Sequence, residues 1–220
     1  MVGMTTTAFF DLDYTLLSTS SGMVYVREII RQRRAPWWRV GYLGMQYKLK
    51  LLDFGQVHGQ LISHVGRSGV DQTSNFFDGL AGRYLMPRLS EAGRAKIEWH
   101  RQQGHRVVIV SASIEELVKP VAEDLGLGQD YLCTRLAVQE GRYTGRLDGP
   151  LCYGPGKVEW VKRWANLNQV NFPGTVGYFY TDSASDLPLL ELAKHPVAVN
   201  PSRKLAKIAE ARGWPIEKFY

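Results

Sequence analysis

The sequence predicts an α/β fold, a doubly wound parallel-sheet core of Rossmann-like type with an inserted helical cap domain. Three observations predict it. Short β-branched and aromatic runs end in clusters of polar residues; helical patterns separate those runs; and residues 18–88 interrupt the alternation with no clear strand. Strands alternating with helices imply a parallel sheet covered on both faces, and such sheets bind ligands beyond the carboxyl ends of their strands.

Taken in order, Thr5 to Phe10 reads as a buried strand that runs into Asp11-Leu12-Asp13. A helical stretch follows near Val24 to Gln32, then Pro36 as a break, then a second helix from Trp37. This interruption is the expected cap, which divides the chain into a core of residues 1–17 and 89–220 and a cap of residues 18–88. Arg106 to Ser111 is the next strand; it leads into Ser111-Ala112-Ser113 and a helix near Ile114. Between Leu132 and Leu151 near-alternating residues surround Glu140-Gly141, the pattern of a β-hairpin beside the site. Lys157 opens a helix, Thr175 to Tyr180 is a strand ending in Asp182-Ser-Ala-Ser-Asp186, and Pro196 to Val199 is a further strand.

At 220 residues and 45% hydrophobic content the chain is long enough to bury a core. Its two cysteines, Cys133 and Cys152, lack metal-ligand spacing and are expected as free thiols. No basic-then-apolar leader opens the sequence, and no apolar run approaches the ~20 residues that span a bilayer. A soluble, cytoplasmic protein is therefore expected. The net charge of +6 is localised: Arg27, Arg31, Arg33, Arg34, Arg39, Lys48 and Lys50 stand against Glu28 alone, and the rest of the chain is neutral.

The polar clusters suit phosphoryl transfer, which asks a protein for a nucleophile, positioning and neutralisation of charge on the transferred oxygens. Asp11 and Asp13, two residues apart at a strand end, allow one carboxylate to attack phosphorus while the other handles the leaving-group proton. A carboxylate attacking a dianionic phosphate needs an intervening cation; a hard ion such as Mg²⁺, held by carboxylates, fits, with Asp182 and Asp186 as partners. Ser111, ahead of a helix, can offer its hydroxyl and nearby amides to a phosphate oxygen. Lys157 can add a positive charge.

In this order, DLDYT (Asp11 to Thr15), Ser111 in VSAS, Lys157 in GPGK and TDSASD (Thr181 to Asp186) resemble the four motifs of the haloacid dehalogenase superfamily. The similarity spans essentially the whole chain. It lies with the branch containing phosphoserine phosphatase, histidinol-phosphate phosphatase and phosphatidylglycerophosphatase C. The resemblance implies an Mg²⁺-dependent phosphomonoester hydrolase acting through an aspartyl-phosphate on a small phosphorylated metabolite. It implies Asp11 as nucleophile and metal ligand, Asp13 as general acid and base and as metal ligand through its backbone carbonyl, Asp182 as a further ligand, and Asp186 as support for the metal shell. Ser111, Lys157 and Thr15 are implied as phosphate-binding, and the cap as a lid over the substrate. The same intermediate passed to an alcohol gives a phosphotransferase, an alternative outcome.

Substrate choice falls on the cap. Where phosphoserine phosphatases carry an acid for the substrate ammonium, this chain has Ser20, which disfavours phosphoserine and histidinol phosphate. Ser20 and Arg27 are the candidate specificity residues. On the helix from Trp37, Arg39, Gln46, Lys50 and Asp53 share a polar face, and Trp38, Tyr42, Met45, Leu49 and Leu52 an apolar one. One reading packs the apolar face on neighbours and leaves the basic face in solvent over an anionic substrate. A second lays the segment on an anionic membrane surface, with a lipid phosphate as substrate. No nucleic-acid partner is expected, because no recognised module surrounds the charge.

Overall fold

The computed structural model describes residues 6–33, 37–48 and 69–220. Its main sheet has six strands: β1 (Thr7–Phe10), β2 (Arg106–Ile114), β3 (Tyr131–Thr134), β6 (Val176–Thr181), β7 (His195–Val199) and β8 (Ile216–Glu217). Their order is β3-β2-β1-β6-β7-β8, and every pairing is parallel. The chain builds outward from β1 to β3 on one side and from β6 to β8 on the other. The reversal therefore falls between β1 and β6, where a parallel sheet opens its ligand crevice.

Both faces are covered, which is why the strands read as continuous apolar runs. Phe10 and Ile109 point into one core cluster, Phe9, Val108 and Val110 into the other. Phe10 stacks on Tyr180 with ring centroids 4.4 Å apart, and Phe9 meets Trp164 edge-on at 5.5 Å. Beside the sheet, His100 is fully buried with both ring nitrogens engaged, Nε2 at 2.9 Å from the Tyr180 hydroxyl and Nδ1 at 2.9 Å from His105. Burial, with His105 and Lys96 adding to it, pushes its pKa down to about 4.

The segment read as one hairpin divides in two. Tyr131–Thr134 pairs with β2 as the edge strand of the main sheet, and the hairpin itself is β4 (Leu136–Gln139) with β5 (Arg142–Leu147). Its turn is the expected Glu140-Gly141, both in the left-handed region at φ 50° and 71°.

Among the described residues the interruption in the alternation is helical: α1 (Ser21–Arg31), α2 (Trp37–Lys48) and α3 (Val70–Leu80), the last continued by turns to Arg88. Helix α1 buries Val24, Tyr25, Val26 and Ile29, with Tyr25 stacked on Phe77. The two chain crossings lie side by side: Leu17 bridges Leu89, Ser18 N–H donates to the Arg88 carbonyl at 2.9 Å, and Ser90 N–H donates to Leu16 at 2.8 Å. The expected packing of the apolar face of α2 is not found at its described side chains: Trp38, Tyr42 and Met45 are 61%, 52% and 49% exposed, and Trp37 beside them 74%. Arg34, Pro36, Leu49, Lys50, Leu52 and Asp53 lie outside the described residues, as do the side chains of Arg39 and Lys48.

After the hairpin, α4 (Pro155–Leu167) buries Lys157, Trp160, Val161, Trp164 and Ala165. This is the i, i+3, i+4, i+7, i+8 stripe of an amphipathic helix with a lysine in its first position. No described helix is long and apolar enough to cross a membrane.

Candidate active site

Asp11 is the first residue past β1, held by its N–H donating to the Tyr180 carbonyl at 2.9 Å, and it is only 6% exposed. The chain then turns sharply. Thr15 and Leu17 N–H groups return to the Leu12 carbonyl, and Tyr14 sits at φ 56°, a left-handed conformation a bulky residue rarely adopts. The turn brings the Thr15 hydroxyl back to donate to Asp11 Oδ2 at 3.3 Å.

Lys157 reaches the same carboxylate from the other side. Its Nζ donates to Asp11 Oδ1 at 2.5 Å and to Asp186 Oδ2 at 2.7 Å, and the residue is 2% exposed. Burial alone would lower the lysine pKa, but Asp11 and Asp186 outweigh it and hold the ammonium protonated. Asp186 also accepts from the Thr181 hydroxyl at 2.7 Å. Asp182, between them in sequence, donates its N–H to the Thr15 hydroxyl at 3.1 Å. The β1 and β6 ends are thereby stitched through Thr15 and Lys157.

Asp13 is held by the start of α1. Ser21 N–H donates to Oδ1 at 2.9 Å and the Ser20 hydroxyl to Oδ2 at 3.2 Å, while the Ser20 oxygen also caps the helix by accepting from Met23 N–H. Burial raises the Asp13 pKa and these bonds oppose the rise. Burial prevails, so the carboxyl holds a proton more readily than a free aspartate does.

Ser111 is 1% exposed and its Oγ accepts from Ser113 N–H at 3.1 Å. The pairing of β2 with β3 slips between Ser111 and Ile114, an irregularity of the kind that re-aims residues near functional sites. Ser113 Oγ in turn meets Ser21 Oγ in a very close contact, so the β2 end touches the N-terminus of α1.

The structure thus brings these residues into two hydrogen-bonded sets: Asp11, Thr15, Lys157 and Asp186, with Asp182 joined through its backbone, and Asp13 with Ser20 and Ser21, to which Ser113 links Ser111; Asp13 and Asp11 feel each other's charge. Arg27 stands two turns along α1, away from both. Sequence reasoning missed Ser21 and Thr181, which bond Asp13 and Asp186, and Ser113, which bonds Ser111 and Ser21. The STSSG stretch, a helix-start pattern after the first motif, was the available signal for Ser21. Thr15 is used twice within its set, so binding a phosphate oxygen would require its hydroxyl to leave Asp11.

Four carboxylates and one ammonium leave the site short of positive charge. Asp182 is pushed up to about 8 by burial and then by Asp11 and Asp186, and Asp11 to about 7 by burial and Asp186 against the pull of Lys157. Among the described residues no three His, Cys, Asp or Glu side chains converge on one point. The donors implied by the resemblance, the Asp11 and Asp182 carboxylates and the Asp13 carbonyl, are all oxygen. That set fits Mg²⁺, which keeps several waters and takes one or two carboxylates, and does not fit a metal that wants an all-protein nitrogen or sulfur cage.

A model of the haloacid dehalogenase-like hydrolases matches residues 8–191. A Mycobacterium tuberculosis protein named "probable phosphatase" is 33% identical over 220 residues, 97% of this chain and 75% of that one. Histidinol-phosphatase of Neisseria meningitidis serogroup C is 28% identical over 96% of this chain and 98% of its own. A solved structure of a protein of unknown function from Bordetella pertussis Tohama I superposes with a TM-score of 0.92 at 28% identity, covering 98% of this chain and all of that one.

Proposed function

The chain belongs to the haloacid dehalogenase-like hydrolases and is a phosphatase, and we propose that it hydrolyses a small phosphorylated metabolite through an aspartyl-phosphate on Asp11. The observation that carries this reading is the buried bridge from Asp11 through Lys157 to Asp186, at 2.5 and 2.7 Å. A lysine is not desolvated between two carboxylates merely to stabilise a fold, since such pairs seldom outdo apolar packing. It neutralises a site that must receive an anion.

On this reading Asp11 attacks phosphorus, the bond to the leaving oxygen breaks, and Asp13 gives that oxygen its proton. Asp13 then takes a proton from water as the water oxygen attacks the phosphoryl group, releasing phosphate and the free Asp11 carboxylate. Lys157 and Ser111 hold the phosphoryl oxygens, and Thr15 positions Asp11 and the Asp182 amide. Ser20 and Ser21 orient Asp13. Asp11, Asp182 and the Asp13 carbonyl, supported by Asp186, would hold Mg²⁺, which would supply charge neutralisation. Residues 18–88 act as the cap on a core of residues 1–17 and 89–220, and the adjoining crossings at Leu17 and Leu89 support that division. A cap of this kind excludes water while the aspartyl-phosphate forms.

The expected result is hydrolysis of p-nitrophenyl phosphate that stops on removal of divalent metal by a chelator and returns with added Mg²⁺. Full activity in the chelated enzyme would contradict it. Phosphate released in equal amount to nitrophenol marks water as acceptor; a shortfall on adding an alcohol marks phosphotransfer instead.

A second reading, a lipid phosphate cleaved at an anionic membrane surface, is favoured by the exposure of Trp37, Trp38 and Tyr42 next to the exposed Arg31 and Arg33. It predicts co-sedimentation with anionic vesicles at low salt that weakens at high salt and on neutralising Arg31 and Arg33. No binding at low salt sinks it.

A further inference from the structure

Between the two chain crossings lies a cavity of about 180 Å³, lined by Thr19, Arg27, Glu28, Arg31, Tyr84 and Arg88 among others. One wall is the Thr19 end and one face of α1; the other is the turn that returns the chain to the core. The walls are tied beneath it by the bond from Ser18 N–H to the Arg88 carbonyl.

Three guanidiniums and one carboxylate share this space. The carboxylate is already committed: Glu28 Oε2 accepts from Arg31 Nε at 2.8 Å and Oε1 from Arg31 Nη2 at 2.5 Å, while Gln32 also reaches Oε1 at 2.6 Å. Its side chain is 8% exposed, and its hydrogen bonds to Arg31 hold its pKa down to about 2. Glu28 therefore cancels and fixes Arg31. Arg27 and Arg88 keep their charge. Among the described residues Arg27 makes no hydrogen bond, and Arg88 gives one of its five donors, to the Tyr84 carbonyl at 3.0 Å.

We propose that this cavity is an anion site in which Arg27, from α1, and Arg88, from the returning crossing, clamp a phosphate or carboxylate group. That volume is enough to admit one oxyanion group. The Thr19 carbonyl accepts from Tyr14 N–H at 3.3 Å, and the next residue, Ser20, holds Asp13. An anion here sits one residue from the support of the proposed acid-base group.

The anion has two possible sources: a second charged group on the substrate, which rests on the phosphatase reading above, or a free anion, which does not. The test compares the full chain with Arg27→Met, Arg88→Met and the charge-keeping Arg88→Lys, each checked for an unchanged melting temperature. Calorimetric titration with inorganic sulfate should show a site whose affinity falls roughly tenfold or more in both Met variants and is largely kept in Arg88→Lys. Alongside it, kcat/KM is measured for phosphoglycolate and for p-nitrophenyl phosphate. If the ratio of the two falls roughly tenfold with the sulfate site, mainly through KM, the anion belongs to the substrate; if the ratio holds while the sulfate site is lost, the anion is free. Sulfate binding unaltered by both Met variants overturns the proposal. A wild type with the sulfate site but without Mg²⁺-dependent hydrolysis of either ester keeps the anion site and overturns the phosphatase mechanism instead.

Discussion

Asp11→Asn is expected to lower single-turnover cleavage of p-nitrophenyl phosphate by ~10⁴-fold or more, the scale on which loss of a covalent nucleophile is felt. The amide has nearly the shape of the carboxylate but is uncharged and a poor nucleophile. Lys157 keeps its 2.7 Å bond to Asp186, so folding should be little changed. A melting temperature near wild type beside a collapsed rate is the expected pair of results. A loss of less than tenfold would remove Asp11 from the reaction.

Lys157→Met is expected to cost about 3–5 kcal/mol of stability at pH 8 with metal chelated, the penalty for leaving buried charge without its partner. Methionine fills the volume, but Asp11 and Asp186 are then left buried and adjacent with no cation between them. Their carboxyl pKa values must rise in the folded variant above the unfolded value. A group raised in this way stabilises the fold fully below its unfolded pKa and loses that contribution as pH rises through the folded one. Asp11 already stands at about 7 with the lysine present. The gap between variant and wild type should therefore be widest above pH 7 and narrow as pH falls towards 4. Urea denaturation across that window measures it; a gap that is constant with pH would mean Lys157 acts through packing alone.

The core strands were legible because each is buried on both faces, so four to six apolar residues ran together and ended in chemistry. Tyr131–Thr134 escaped because four residues at a sheet edge, directly before a true hairpin, continue the hairpin's own pattern. Ile216–Glu217 is too short to carry any period. The catalytic set was legible from residue types at strand ends, yet the bond network was not. Lys157 shows the difference: its place in the apolar stripe with Trp160, Val161 and Trp164 announces burial, but its two carboxylate partners come from strands separated in sequence. Ser20 was placed by analogy with an acid facing substrate. A serine at a helix start reaches its own helix amide first, and here it also reaches Asp13, so it supports the acid-base group. Arg27 was singled out for its charge, but that it lines one cavity with Arg88 could not be read from the sequence, because it depends on where the chain returns from the cap.

If phosphate passes through Asp11 as a covalent acyl phosphate, borohydride should trap it. Enzyme quenched during turnover and reduced would carry homoserine in place of the aspartate at position 11, found by peptide mass mapping, and only when substrate and Mg²⁺ were both present. Turnover with Asp11 recovered intact in every sample, or with homoserine at another aspartate, would contradict the account.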